Sequence, residues 1–156
     1  MVYAPTGEYE VGQLANVGLN YWTFTPMATA SYIDPKYGYE ISASAGFDFN
    51  TENNAINYQS GDVFHYDMTV AQHLPFFGLG AIGVGANFFF WQQITGDSGD
   101  GAKLGPFKSR TVGIGPAVSF ITPNQKLLFE VKWLPGIDVN NRLKGDSVWF
   151  KAAWTF

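Results

Sequence analysis

Apolar and polar residues alternate with a period of two through most of this chain. Counting back from Phe156 in steps of two gives Trp154, Ala152, Phe150 and Val148, all apolar. The intervening residues Thr155, Ala153, Lys151, Trp149 and Ser147 are mostly small or polar. A β-strand sends successive side chains to opposite faces, so this segment reads as a strand with one greasy face and one wet face. Six earlier segments repeat the pattern. In 17–33 the apolar set is Trp22, Phe24, Pro26, Ala28, Ala30 and Tyr32. In 39–50 it is Ile41, Ala43, Ala45, Phe47 and Phe49, opposite Glu40, Ser42, Ser44, Gly46 and Asp48. In 63–74, Phe64, Tyr66, Met68 and Val70 oppose His65, Asp67, Thr69, Ala71 and His73. In 81–93, Ile82, Val84, Ala86, Phe88 and Phe90 oppose Gly83, Gly85, Asn87, Phe89 and Trp91. In 109–121, Val112, Ile114, Pro116, Val118 and Phe120 oppose Thr111, Gly113, Gly115, Ala117 and Ser119. In 127–140, Leu127, Phe129, Val131, Trp133, Ile137 and Val139 oppose Glu130, Lys132 and Asp138. No segment of helical period competes with these seven strands.

The connections alternate in length. Residues 34–38, 75–78 and 122–125 carry the Pro, Gly, Asn and Asp of tight turns. Residues 51–61, 95–108 and 141–146 read as longer polar loops. Outer-membrane β-barrels have short periplasmic turns and long external loops, and their strands alternate between a lipid face and a lumen face. With the C-terminus on the periplasmic side, all three tight turns fall there too. The predicted fold is therefore all-β, a transmembrane antiparallel β-barrel in a single domain spanning 1–156. Its lipid face holds Phe47, Val70, Val84, Ile114, Val131, Phe150, Trp154 and Phe156, so its first partner is a lipid bilayer or detergent. Seven is an awkward count, because single-chain bacterial barrels have even numbers of strands. Either residues 1–9 supply a short eighth strand, despite Pro5 and Gly7, or free strand edges close through a homo-oligomer. Pro26 and Pro116 point to bulges or edge positions, and Pro135-Gly136 to a bend near the outer rim.

Composition sharpens this picture. Charged residues make up 14% and aromatics 17% of the 156 residues, with 18 glycines. Soluble domains carry roughly 25% charge. No apolar run is long enough for a transmembrane helix. The net charge of −4 without a basic cluster excludes nucleic acid as a partner. The absence of cysteine excludes a disulfide framework and thiolate metal sites. Met1 is not followed by a signal peptide, so the sequence reads as a mature form, a fragment or an engineered version of a longer barrel of the bacterial outer membrane.

The inner face collects the candidate chemistry. Glu40, Asp48, His65, Asp67, Glu130, Lys132 and Lys151 point to the lumen, where they either tune a pore or plug it with ion pairs. Phe89, Trp91 and Trp149 point inward by phase and either stack an aromatic ligand or fill space. His65 and Asp67 share a face with Ser42 and Ser44, the residue types of a hydrolytic triad. Such co-facing sets also arise by chance in a polar lumen. Residues 97–101, with Asp97 and Asp100, have carboxylates in a loop but lack the ligand spacing of a calcium site. No metal, cofactor or catalytic residue is assigned.

Several runs carry a family resemblance: NVGLNYWTFTP at 16–26, FNTEN at 49–53, YQSGD at 58–62, QQITGDSG at 92–99 and DVNNRLKGD at 138–146. YAPTG at 3–7 matches an element that ends an earlier strand in the same family. The chain resembles the C-terminal part of the outer-membrane family of the MetA pathway of phenol degradation, whose members are longer. The resemblance implies a barrel that passes small hydrophobic or aromatic compounds. The alternatives are a structural or engineered barrel with a side-chain-filled lumen and no transport, and, third, a lumenal lipid-acting enzyme. Closure by one chain with a filled lumen is the expectation.

Overall fold

The computed structural model describes residues 1–13 and 16–156. Among these there is no helix. There are nine strands: β1 (Val2–Tyr3), β2 (Thr23–Phe24), β3 (Met27–Ile33), β4 (Tyr39–Asn50), β5 (Val63–Phe76), β6 (Gly80–Gln93), β7 (Arg110–Ile121), β8 (Leu127–Asn140) and β9 (Asp146–Trp154). They form one antiparallel sheet in the order β1-β2-β4-β5-β6-β7-β8-β9, with β3 also on β4. The predicted strand 17–33 is β2 plus β3. It begins only at Thr23, because Asn20 lies at φ 59°, a left-handed conformation that ends an extended run. Pro26 then separates β2 from β3, lacking an N–H for the ladder. The register carries through it unbroken: Thr23 and Phe24 face Asn50 and Phe49, and Met27 faces Gly46. Pro26 therefore makes a gap and no bulge. Its carbonyl still accepts from Phe47 N at 3.1 Å, and the Thr25 hydroxyl donates to Asp48 Oδ1 at 2.6 Å.

Because directly paired residues share a face, the register assigns the faces. Phe47 pairs with Phe64, Ile41 with Val70, Val84 with Val118, Ile114 with Phe88, and Val131 with both Val118 and Phe150. These side chains form one exposed apolar surface. The opposite surface carries Asp48, His65, Asp67, Asn87, Phe89, Glu130 and Lys132, and it is concave. Two phase assignments are corrected. Val112 faces Asp138 but Gly113 faces Gly136, so Ile137 is an extra residue, a β-bulge just after Pro135-Gly136. Beyond it the faces exchange. Val139 pairs with Thr111 on the inner side, and Asp138 lies outside, ion-paired to Arg110 at 2.6 Å. In addition, β9 ends at Trp154, leaving Phe156 past the strand and fully exposed.

The sheet does not close into the expected barrel. Among the described residues, β9 and the β1/β3 side remain two free edges. The cause is parity. Seven long strands alternating in direction leave β3 and β9 parallel, so they cannot complete an antiparallel ladder. β1 runs opposite to both, as the expected eighth strand should, but it spans two residues.

The turns 34–38, 77–79 and 122–126 lie at one end. Pro75 and Phe76, expected in a turn, extend β5; the turn itself puts Phe77 at φ 45° and Gly78 at φ 74°, as a type I′ hairpin requires. At the other end the third long loop shrinks to 141–145, because Asp146 already belongs to β9. The remaining two loops are knitted together. Gln59 and Ser98 form an isolated bridge. Asp97 accepts from the Tyr58 hydroxyl at 2.9 Å, from Gly61 N at 3.0 Å and from the Gln93 amide. Asp100 accepts from Asn57 at 3.2 Å. Asn53 ties this roof to Leu19 by donating to its carbonyl at 3.1 Å. The two carboxylates of the 97–101 loop are thus hydrogen-bond acceptors of an ordered roof.

Burial, reinforced by Asp97, pushes the Tyr58 hydroxyl up to about 12. A raised phenol favours the folded state below pH 10, its ordinary value, and that contribution disappears as pH rises through about 12. Absorbance titration in detergent is expected to show a late tyrosinate transition near pH 12 that is absent from Tyr58→Phe. Losing this half-exposed hydrogen bond to a carboxylate costs about 1 kcal/mol in denaturant unfolding. At the opposite end, Phe77 holds a left-handed backbone disfavoured for a bulky side chain. Phe77→Asn is expected to raise stability by about 0.5 kcal/mol. A loss measured in the same unfolding assay would show that the Phe77 contact with Phe76 outweighs the strain.

Candidate functional site

The concave face is built around missing side chains. On β6 and β7 it presents Gly83, Gly85, Gly113, Gly115 and Ala117. Long side chains from neighbouring strands lie over this bare backbone. The Phe89 ring rests against Gly113, and the His65 ring against Gly46; a Cβ at either glycine would collide with the ring. Lys132 on β8 extends across β7 and β6 and donates to Thr69 Oγ1 on β5 at 3.3 Å. The register sets Lys132 in one row with the small residues Ala117, Gly85 and Ala71.

Two zones result. Toward the short-turn end the face is filled with paired polar groups. Glu40 is 2.6 Å from His73 Nε2, and its other oxygen accepts from the Ser42 hydroxyl at 2.6 Å. Lys132 pairs with Glu130 at 2.8 Å. These four side chains are only about one fifth exposed. Asn87, fully buried, donates to Asp67 Oδ1 at 3.1 Å, to Met68 O at 2.7 Å and to Thr69 Oγ1 at 3.2 Å. A buried ion pair is held only when its spare lone pairs and protons are also bonded, and Thr69, Ser42 and Asn87 supply those bonds.

Toward the long-loop end the face is hollow. A cavity of about 900 Å³ is lined by Asp48, His65, Asp67, Phe89, Trp91, Glu130, Lys132, Trp149 and Lys151, with Met1, Tyr3, Tyr21 and Leu134 among its other walls. All the candidate inner residues except Glu40 therefore meet at one cavity, and Glu40 lies with His73 beneath it. Asp48 joins Thr25 at 2.6 Å and His65 at 3.5 Å. Arg142, from the 141–145 loop, sits over the Trp91 ring at 4.0 Å and closes that side of the mouth. Burial raises the Tyr21 hydroxyl above its ordinary value, and Asp97 and Asp48 act in the same direction. Phe47, Val70, Val84, Ile114, Val131 and Trp154 lie on the convex face, away from this chemistry; Phe150, in phase with them on the edge strand β9, also borders the cavity.

The arrangement separates the triad residue types. The imidazole of His65 faces Asp48, Asp67 takes Asn87, and the Ser42 hydroxyl serves Glu40. His73, Asn87 and Thr69 were legible as inner-face residues, but their partnerships were not, because these depend on register. For a ligand the cavity offers ring faces on Phe89, Trp91 and Trp149, and polar groups mostly paired with one another.

No curated protein and no solved structure matches the chain. Residues 1–152 match the family described as "Putative MetA-pathway of phenol degradation", and the chain belongs to that family.

Proposed function

We propose that the protein is a wall of the bacterial outer membrane through which small uncharged aromatic or hydrophobic molecules pass, acting without a cofactor and without catalysis. The observation that carries this reading is the cavity, whose ring-bearing walls Phe89, Trp91 and Trp149 share the concave face while the convex face is apolar and exposed. A convex face of this kind suits hydrocarbon, and the strands supply their own backbone partners across the sheet. The long-loop roof then faces outward and the short turns face the periplasm. Membership of a phenol-degradation family supports an aromatic solute. Magnitude supports it too. Removing about 150 Å² of ring surface from water contributes about 4 kcal/mol, a millimolar hold that lets the solute leave again.

The filled short-turn half favours a second reading, a barrel without steady axial flow, and a polar solute or ion gains nothing from this floor of mutually paired charges. The Ser42 hydroxyl donates to Glu40 and not to an imidazole, which weighs against the lipid-acting enzyme.

Two measurements test the proposal. Val131→Arg is expected to cost about 2–4 kcal/mol of folding stability in liposomes, and Lys151→Ala, its neighbour on the inner face, under about 1 kcal/mol. The reverse order would place the convex face in water. Phe89→Ala combined with Trp149→Ala is expected to weaken binding of 1-N-phenylnaphthylamine in detergent about tenfold, at about 0.5–1.5 kcal/mol per ring contact. An unchanged affinity would remove the cavity from the function.

A further inference from the structure

We infer that the mouth of the cavity holds a second class of ligand, an aromatic carboxylate, with its anion on Arg142 and its ring against Phe89. The inference rests on the cavity of the reading above and adds a charged group that uncharged solutes do not use.

The site starts from the bulge at Ile137. Alternation alone places Asp138 on the inner face. The extra residue turns Asp138 outward to Arg110, at 2.6 Å, and brings Val139 into the inner row with Thr111 and Trp91. The inner face of this rim thereby loses its acid. The 141–145 loop follows directly and delivers a cation to the same place, where the Arg142 guanidinium lies 4.0 Å over the Trp91 ring. Both ends of the loop are tied: Asn141 donates to Lys108 O at 2.8 Å, and Gly136 N donates to Gly145 O at 3.1 Å. Stacking occupies a face of the guanidinium and leaves free its edge, where the five N–H donors lie. Among the described residues no protein group accepts from those donors and no carboxylate pairs with them. The nearby acids are engaged elsewhere. Asp146 takes the Trp133 indole N–H at 3.2 Å, and Asp97 takes the Tyr58 hydroxyl at 2.9 Å. Arg142 is therefore an exposed, oriented fork whose planar geometry matches a carboxylate.

The rest of the ligand follows from what lies below. Trp91 and Phe89 stand two residues apart on one face of β6, and both line the cavity. They belong to the middle of the sheet, with β5 and β7 laddered on either side. Asp67 is the partner of Phe89 on β5 and repels an anion from the deeper position. A solute with both groups thus settles one way round, carboxylate at the rim and ring inward. A neutral aromatic gains the ring contact alone. A small inorganic anion gains the fork alone, at an exposed position where water and salt weaken the attraction.

The full chain in non-ionic detergent is titrated at neutral pH with 2-naphthoate and with 2-naphthamide, which has the same ring and no charge. The wild type is expected to favour the naphthoate by about tenfold or more, the effect of a charge-assisted hydrogen bond. Arg142→Gln is expected to reduce that preference to within about twofold, and Arg142→Lys, which keeps the charge but not the fork, to about threefold. Lys144→Gln removes a neighbouring exposed cation and is expected to keep the full preference. Equal affinities in the wild type would overturn the site, and so would a preference that survives Arg142→Gln. A preference lost as fully in Lys144→Gln would assign it to diffuse surface charge and overturn the site as well. If neither naphthyl probe binds the wild type while 1-N-phenylnaphthylamine does, the mouth site falls and the cavity reading stands. If none of these probes binds, both fall together.

Discussion

The constraint on which this structure depends is the two-residue period of a strand held in an unbroken register. From β3 to β7 every paired residue keeps its face, so a single assignment at Phe47 fixes Phe64, and through its neighbours Val84, Val118 and Val131. A slip by one residue anywhere would carry a whole strand's apolar set to the inner face. Only one such shift occurs, at Ile137, and it lies near the rim. There the exchange of faces puts Asp138 outside against Arg110, and Val139 inside. Such a reversal at mid-depth would expose a carboxylate on the convex face between Val131 and Ile114. At the rim it costs little, and it tightens the local twist where β8 turns toward the 141–145 loop.

The second constraint is directional. An antiparallel wall closes on itself only with an even number of strands, and seven long strands leave parallel edges. A second copy in the same membrane orientation does not repair this, because its β3 also runs parallel to β9. Only a strand of β1's direction fits the opening. The N-terminal residues run in the direction opposite to β3 and β9 and pair with β2 over two residues, anchored by Met1 and Thr25 exchanging hydrogen bonds at 2.7 and 2.8 Å.

Much of this was legible in the sequence, and what was hidden has a physical explanation. The span of β4 follows from alternation alone, because apolar residues interchange strictly with polar or small ones from Tyr39 to Asn50 and Gly38 precedes it. The start of β2 was hidden, since Trp22 continues the apolar count while Asn20 already leaves extended geometry. The bulge was half visible: Pro135-Gly136 announces a bend, but which residue is extra depends on the partner strand. The cavity residues were visible as a set. Their partners were not, because Glu40 could have met any inner-face residue of β5, and only the register that sets Glu40 opposite Ala71 brings it diagonally to His73.

Small residues decide where the interior is hollow and where it is solid. Where Gly85 and Ala117 carry little or no side chain, Lys132 reaches a threonine three strands away. Nearer the long loops, Gly113 gives its space to the Phe89 ring, which stands against the wall and leaves the centre open. The same bare backbone therefore serves both zones. What differs is the residue that uses it: a long cation that must find Glu130 and Thr69, or a flat ring that needs no partner. A charged side chain in a low-dielectric interior has to stretch to its bonds and fill the space, whereas an aromatic one is satisfied by contact along one face. That difference places the apolar cavity above the polar floor, with the free edges at its side.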